Sequence, residues 1–167
     1  MKENIPGEQP VDADMAAITR FELVLLVLGN TFEQWVKRCG AKSDLGAFSS
    51  LETYILHRIG RSETPRRISD LCFALKIEDT HIVTYAVKKL MKSGLVTSSR
   101  SGKDTYFNVT PEGEARIVRY AATKRANLGA ALAMFNEQDL DLPGLEEKLQ
   151  VLCAVYEQAA RRAELQQ

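Results

Sequence analysis

Cysteine and histidine are scarce in this chain of 167 residues, which has three cysteines and two histidines. Cys39, Cys72 and Cys153 lie far apart and form no Cys-x-x-Cys pair, so the sequence predicts neither a disulfide framework nor a zinc site. We interpret the three thiols as small buried hydrophobic side chains in a reducing compartment. A redox-sensing thiol is the alternative interpretation.

Catalytic motifs are also missing from the sequence. No Ser or Cys nucleophile elbow accompanies His57 or His81, and there is no Gly-rich phosphate loop and no His-Glu-x-x-His motif. Paired acids such as Glu146 and Glu147 lie at a predicted helix start, where the helix dipole favours them. We therefore expect no enzyme activity, no cofactor and no metal.

The chain has no net charge, since 22 Lys and Arg balance 22 Asp and Glu, but the charges are unevenly distributed. Residues 61–110 hold nine Lys and Arg against five Asp and Glu, and the flanks are mildly acidic. A basic centre on a neutral scaffold is typical of a nucleic-acid-binding module.

The sequence predicts neither a signal peptide nor a membrane span. The polar N-terminus has no apolar core and predicts a flexible arm over residues 1–12. The apolar run 23–28 is far shorter than a membrane span, and Glu22 and Glu33 flank it. We expect a cytoplasmic protein without a membrane partner.

Long helices are predicted on both sides of the basic centre. The first of these helices is apolar on almost every side, so protein must cover all of its surface. A subunit interface provides this cover more easily than a single chain does. The second has Ser49 and Glu52 at capping-box spacing. The helices predicted outside the centre run over about 14–39, 49–59, 111–135 and 143–165.

Residues 66–113 have the pattern of helix, tight turn, helix, two-stranded hairpin and new helix, which is the order of a winged helix-turn-helix. Ser69 is predicted to cap the first of these helices, and Gly94 follows the second in a place that favours a left-handed residue. The remaining predicted features are a short strand at 67–68, a cap at Asp79 or Thr80, and hairpin strands over 95–100 and 105–109.

The helix predicted from Thr80 combines an apolar inner face with a polar outer face. Thr and His can bond base edges, Thr methyls can pack on thymine methyls, and Lys suits phosphates. The hairpin tip adds basic residues that a wing can hold over the minor groove. A solvated helix and an ordinary turn are the alternatives. The predicted DNA-binding residues are Thr80, His81, Thr84, Tyr85, Lys88, Lys89, Arg100 and Lys103.

The same stretch resembles the multiple-antibiotic-resistance regulator (MarR) family of bacterial winged-helix transcription factors. This chain departs from the family at the wing, where Ser101–Lys103 replaces an Asp-Arg-Arg triplet, and at His81 and Ile82, where small hydroxyl residues are common. The matching segments are Ile68-Ser69-Asp70-Leu71, Leu75-Lys76-Ile77, Val83-Thr84, Val87-Lys88-Lys89-Leu90, Lys92-Ser93-Gly94-Leu95-Val96 and Val109-Thr110-Pro111-Glu112-Gly113.

The resemblance implies a mainly α fold with a small β-hairpin wing, in which terminal helices form a dimerisation domain. It also implies a homodimer whose two recognition helices enter successive major grooves of double-stranded DNA, roughly 34 Å apart on a pseudo-palindromic operator. The implied organisation is a flexible arm over 1–12, N-terminal dimerisation and support helices over 13–60, the winged lobe over 61–110 and C-terminal dimerisation helices over 111–167.

Many members of the family are released from DNA by a small aromatic ligand, and four residues here could line such a cleft: Phe32, Trp35, Tyr54 and His57. Core packing is the favoured interpretation of these side chains, so no ligand-binding residue is predicted. The predicted function is sequence-specific transcriptional regulation on DNA. The alternative is a winged-helix module for protein interaction or assembly with weak or no DNA binding, motivated by the zero net charge, Ile82 and the altered wing.

Overall fold

The structure, a computed structural model, describes residues 13–135 and 140–165, so the predicted arm over 1–12 lies outside the described part. The chain divides into two compact units, one up to Thr123 and one from Lys124 onward. The first unit holds α1 (Ala13–Ala41), α2 (Ser50–Gly60), α3 (Ile68–Leu75), α4 (Thr80–Lys92), β1 (Val96–Ser101), β2 (Asp104–Val109) and α5 (Pro111–Lys124), whose last residue lies at the boundary.

The second unit begins with a π-helical turn over Arg125–Gly129, followed by the short α6 (Ala130–Leu132) and by α7 (Leu142–Glu164). The sequence predicts one uninterrupted helix over 111–135, and the π turn is a departure from that prediction. The turn contains Asn127 and Gly129, two residues with low helix propensity. Asp141 caps α7, where its carboxylate accepts the Gly144 N–H at 3.1 Å.

Side-chain caps fix where the helices of the first unit begin. The predicted capping box of α2 is present, since Ser49 Oγ accepts the Glu52 N–H at 3.2 Å and the Glu52 carboxylate accepts the Ser49 N–H at 2.8 Å. Asp79 caps α4 through the His81 N–H at 2.8 Å. The predicted cap of α3 is wrong: the helix starts at Ile68, because the Asp70 carboxylate accepts the N–H of Arg67.

The wing is a two-stranded antiparallel hairpin in which Val96 pairs with Val109 and Ser101 with Asp104. Gly102 lies in its two-residue turn with φ +61°, a left-handed conformation that glycine adopts without strain. A single isolated β-bridge joins Arg66 to Phe107 of the hairpin. The sequence predicts this short strand at 67–68, one residue later than the observed bridge. Arg67 does not pair there because it is the N-cap of α3.

The core of the first unit lies between α2, α3, α4, the hairpin and α5. The C-terminal end of α1 joins it through Val36 and the buried Cys39. Cys72 is buried too, and burial raises the pKa of its thiol. Cys153 is exposed, which contradicts the interpretation of all three thiols as buried. The central buried residues are Ile55, Leu56, Ile59, Leu71, Val83, Val87, Leu90, Leu95, Phe107, Ile117 and Tyr120.

Most of α1 lies outside this core, and its large apolar side chains are exposed in the single chain. Among the described residues, Met15–Ala41 is the one helix long and apolar enough to cross a membrane by length and composition, with a mean hydropathy of 1.4. The apolar region is therefore longer than the run 23–28 considered in the sequence. The exposed residues are Met15, Ile18, Phe21, Leu23, Val24, Leu26, Val27, Leu28 and Phe32.

Candidate nucleic-acid interface

The helix α4 separates its apolar and polar residues onto two sides, as a recognition helix requires. Val83, Ala86, Val87 and Leu90 are buried against the core. Five predicted DNA-binding residues lie away from the core on α4, Thr84 half-buried and the others exposed: Thr80, His81, Thr84, Tyr85 and Lys88. We call this set the reading face.

The charge on α4 favours an anionic partner. The helix contains three lysines and no acidic residue, and the Asp79 carboxylate at its start is engaged as its cap. The reading face is thus compatible with close approach of a phosphate backbone.

Lys89, the remaining predicted DNA-binding residue of α4, has partners on α2 and the loop before it. Its Nζ donates to the Glu52 carboxylate at 2.7 Å and to the Ala47 carbonyl at 3.0 Å, and it lies 5.3 Å from the centroid of the Phe48 ring. The helical rotation between Lys88 and Lys89 turns the second lysine toward the start of α2. Lys89 therefore joins α4 to α2 instead of extending the reading face.

The wing presents the two basic residues predicted at its tip. Arg100 pairs with Thr105 near the end of the ladder, Lys103 lies in the turn beside Gly102, and both basic side chains are exposed. The wing is tied to α3 by Arg67, whose guanidinium lies 3.1 Å from Asp70 and 3.7 Å from Asp104. This network keeps the hairpin next to the helix-turn-helix.

The same network changes the ionisation of Asp70. Its carboxylate accepts hydrogen bonds from the backbone N–H and the guanidinium of Arg67, and both lower its pKa below the ordinary value. The Arg67 guanidinium is therefore held between the carboxylates of Asp70 and Asp104.

Three of the four residues considered for a ligand cleft pack in a chain of ring contacts, and the fourth, Trp35, packs against the core. Phe32 lies 5.6 Å from Tyr54, Tyr54 lies 6.0 Å from His57, and His57 meets Tyr120 edge-on at 5.0 Å between ring centroids. Burial raises the pKa of Tyr54 and of Tyr120. The contacts fit the interpretation of this cluster as packing. Within the described ranges, no group of three His, Cys, Asp or Glu could hold a metal ion.

Two exposed apolar residues of α3 and α4 are absent from the predicted DNA-binding set. Ile82, which is 48% exposed, lines an open groove of about 450 Å³ with Leu51 and Tyr85. Phe73 on α3 is 80% exposed, and its ring lies 5.5 Å from the Lys76 ammonium. Ile82 stands out in the sequence because it is an apolar residue at a position expected to face the groove of DNA. Phe73 stands out only because it lies outside the apolar stripe of its helix.

Comparison with known proteins identifies the central region. Residues 48–113 match the winged helix DNA-binding domain family. No curated protein sequence matches this chain. A crystal structure of a MarR family transcription regulator is 15% identical, with a TM-score of 0.70, and the match covers 92% of this chain and 99% of that one.

Two further solved structures have similar folds at low identity. A MarR family regulator from Neisseria meningitidis is 14% identical, with a TM-score of 0.69 and coverage of 87% of this chain and 97% of that one. MepR of S. aureus, solved as a DNA complex, is 9% identical, with a TM-score of 0.67 and coverage of 81% and 97%. These similarities confirm the predicted fold: the chain has a mainly α winged-helix fold shared with MarR family regulators.

Proposed function

We propose that this chain, with its winged-helix DNA-binding domain over 48–113, is a sequence-specific transcriptional regulator that acts as a homodimer on a pseudo-palindromic operator. The observation that carries the proposal is the reading face of α4, which stands beside a wing with two exposed basic residues, Arg100 and Lys103. A helix can read base edges from the major groove while such a wing contacts the backbone or minor groove.

The homodimer is supported by apolar surface that the single chain leaves exposed. Nine large apolar side chains of α1 are exposed, and α7 exposes Val151 and Val155 on its own surface. Soluble monomers rarely expose contiguous apolar patches of this kind, whereas homodimer interfaces are built from them. We propose that these helices form the interface between two copies and that the protein acts in the cytoplasm.

Effector control is the third part of the proposal. The family resemblance adds a small aromatic compound as the ligand class to test. The ring cluster Phe32, Tyr54, His57 and Tyr120 joins α1, α2 and α5. An aromatic ligand that altered this packing would change the position of the lobe relative to α1, so we expect such a ligand to lower affinity for the operator.

The DNA part is tested by selecting bound duplexes from a genomic fragment library with the purified full chain. We expect one enriched sequence with two half-sites about one helical turn apart, bound with an affinity that falls steeply with salt. A scrambled duplex of equal length and composition is the control. Equal affinity for the selected and scrambled duplexes would contradict sequence-specific regulation.

The dimer is tested by sedimentation of the full chain at micromolar concentration. We expect the mass of two chains, and Leu26→Glu on the exposed part of α1 should shift it toward one chain. Lys37→Glu, an exposed substitution on the same helix, is the control that should leave the mass unchanged. A concentration-independent monomer of the unsubstituted chain would contradict the homodimer.

A protein-interaction module is the second candidate, and a specific observation favours it. The helix-turn-helix exposes Phe73, Ile82 and Tyr85, three large side chains that a protein partner could bury. Under this alternative the chain binds no genomic duplex even at low salt and forms a stable complex with another protein.

A further inference from the structure

The helix α4 lacks the side chains that recognise purines through paired hydrogen bonds. Arginine reads guanine in this way, and asparagine and glutamine read adenine, but none of the three occurs between Thr80 and Lys92. The acid that could accept from cytosine, Asp79, already accepts the His81 N–H at 2.8 Å. Base selection by this helix is therefore left to single hydrogen bonds from its Thr and His side chains and to apolar contacts.

Methyl groups and an aromatic ring occupy the first two turns instead. Tyr85 is 70% exposed and Ile82 is 48% exposed, and both line the groove beside Leu51, which Ser49, Glu52 and His81 also line. Thr80 and Thr84 add methyl groups on the other flank. Ile82 and Tyr85 lie in the first two turns of α4, the part of a recognition helix that contacts base edges.

Lys88, the lysine of the reading face, lies too far along α4 to take the place of the missing arginine, asparagine or glutamine. Lys88 is eight positions after Thr80, a distance of about 12 Å at the helical rise per residue. Base edges are contacted by the N-terminal residues of a recognition helix, so Lys88 is placed for phosphate.

We propose that this protein selects its operator chiefly through the 5-methyl groups of thymine in the major groove, with Ile82 and Tyr85 as the contacting residues. The thymine methyl is the one apolar group among the major-groove signals of the four bases. Burying it against Ile82 removes apolar surface of both partners from water. The inference rests on the proposed DNA-binding function and adds the base that the helix reads.

The test compares the selected duplex with a copy in which deoxyuridine replaces every thymidine of the two half-sites. This exchange removes only the 5-methyl groups and keeps every Watson–Crick hydrogen bond. We expect affinity to fall about fourfold for each contacted methyl. A duplex with deoxyuridine only outside the half-sites is the control, and it should bind like the parent.

Protein variants locate the contact. In Ile82→Ala and Tyr85→Ala, the ratio of affinities for the thymidine and deoxyuridine duplexes should move toward one, because the methyl has lost its partner. Lys88→Ala should weaken binding to both duplexes equally and keep the ratio.

The outcomes separate the two levels of the proposal. A selected duplex that binds equally well with and without its thymine methyls overturns thymine reading and leaves the regulator intact. A methyl effect that survives in both Ile82→Ala and Tyr85→Ala overturns the assignment to these residues. Failure to select any duplex overturns the DNA-binding function together with this inference.

Discussion

The ammonium of Lys89 lies 2.7 Å from the carboxylate of Glu52, and this contact joins α4 to the cap of α2. The same carboxylate oxygen, Oε2, accepts the Ser49 N–H at 2.8 Å. The Glu52 side chain is only 8% exposed, and burying a carboxylate is costly unless it has partners such as these. One carboxylate thus stabilises the start of α2 and fixes the side of α4 that faces away from solvent.

Replacing Lys89 with methionine should destabilise the fold without removing a DNA contact. The change leaves the buried Glu52 carboxylate without its cation, which we expect to lower the free energy of unfolding by about 2 kcal/mol. Denaturant unfolding measures this loss. Because Lys89 is turned toward α2, the slope of log affinity against log salt should stay unchanged.

Lys88→Met is the matched control for that experiment, since Lys88 is the exposed neighbour on the same helix. It should leave stability nearly unchanged and reduce the salt slope by about one. A slope reduced equally in both variants would show that Lys89 contacts phosphate and that its link to Glu52 is broken in the complex.

Truncating the wing should weaken binding to every duplex. Arg100→Ala and Lys103→Ala each remove an exposed charge from the hairpin tip, so each should reduce the salt slope by about one. Thr84→Ala lies on the reading face and should change sequence preference instead. Competition binding with selected and scrambled duplexes measures both effects, with Lys37→Ala on α1 as the control. Unchanged binding in all three variants would contradict this docking of the lobe on DNA.

The local signals in the sequence predict most of the winged lobe because each has a short-range physical cause. The Ser49 and Glu52 spacing describes a capping box that is present, and Gly94 has φ +72° where a left-handed residue was predicted. The predicted start of α3 is wrong because both Arg67 and Ser69 could serve as its N-cap. The Asp70 carboxylate accepts the Arg67 N–H, and this hydrogen bond makes Arg67 the N-cap. Such competition depends on geometry that spacing alone does not contain.

The sequence predicts which residues of the candidate site are exposed only where the helical period alone determines the direction of the side chain. Periodicity correctly places Tyr85 and Lys88 on the outside of α4. It does not place Lys89, because a lysine on the flank of a helix can turn toward solvent or toward a neighbour. The position of Glu52, 37 residues earlier in the chain, decides that question, and the sequence does not show which two helices meet.

Alkaline pH should destabilise the first unit through Tyr120. This side chain is 2% exposed, and burial raises its pKa above the ordinary value of 10.0, with a nearby Tyr54 phenolate adding to the effect. The folded state therefore favours the neutral phenol. Its contribution to stability is complete below pH 10.0 and is lost as the pH rises above that value, where the unfolded chain ionises first.

Denaturant unfolding at neutral pH and above pH 10.0 tests this dependence, with Tyr120→Phe as the comparison. The phenylalanine variant keeps the ring and loses the ionisable group, so its stability should fall less steeply over the alkaline range. Parallel losses in the two proteins would assign the alkaline sensitivity to other groups.

The lack of space around Gly113 explains why the segment Val109–Gly113 ends in glycine. Substitution at this position is therefore the sharpest test of the packing. A Cβ built on Gly113 would lie 2.2 Å from the Leu95 carbonyl oxygen and 2.7 Å from Val109 Cγ2. The first turn of α5 thus packs directly on the start of β1, and backbone atoms there cannot move aside cheaply. Gly113→Ala should lower the free energy of unfolding by about 3 kcal/mol, as overpacking does.

Gly129→Ala is the matched control, because its Cβ would meet only Arg125 Cγ at 4.0 Å. Alanine exceeds glycine in helix propensity by roughly 1 kcal/mol, so this variant should be as stable as the parent or slightly more so. Thermal unfolding of the two variants measures the difference. Equal stability in both would mean that α5 does not approach β1 as closely as the Gly113 contact requires, and the junction between the wing and α5 would then need a different packing.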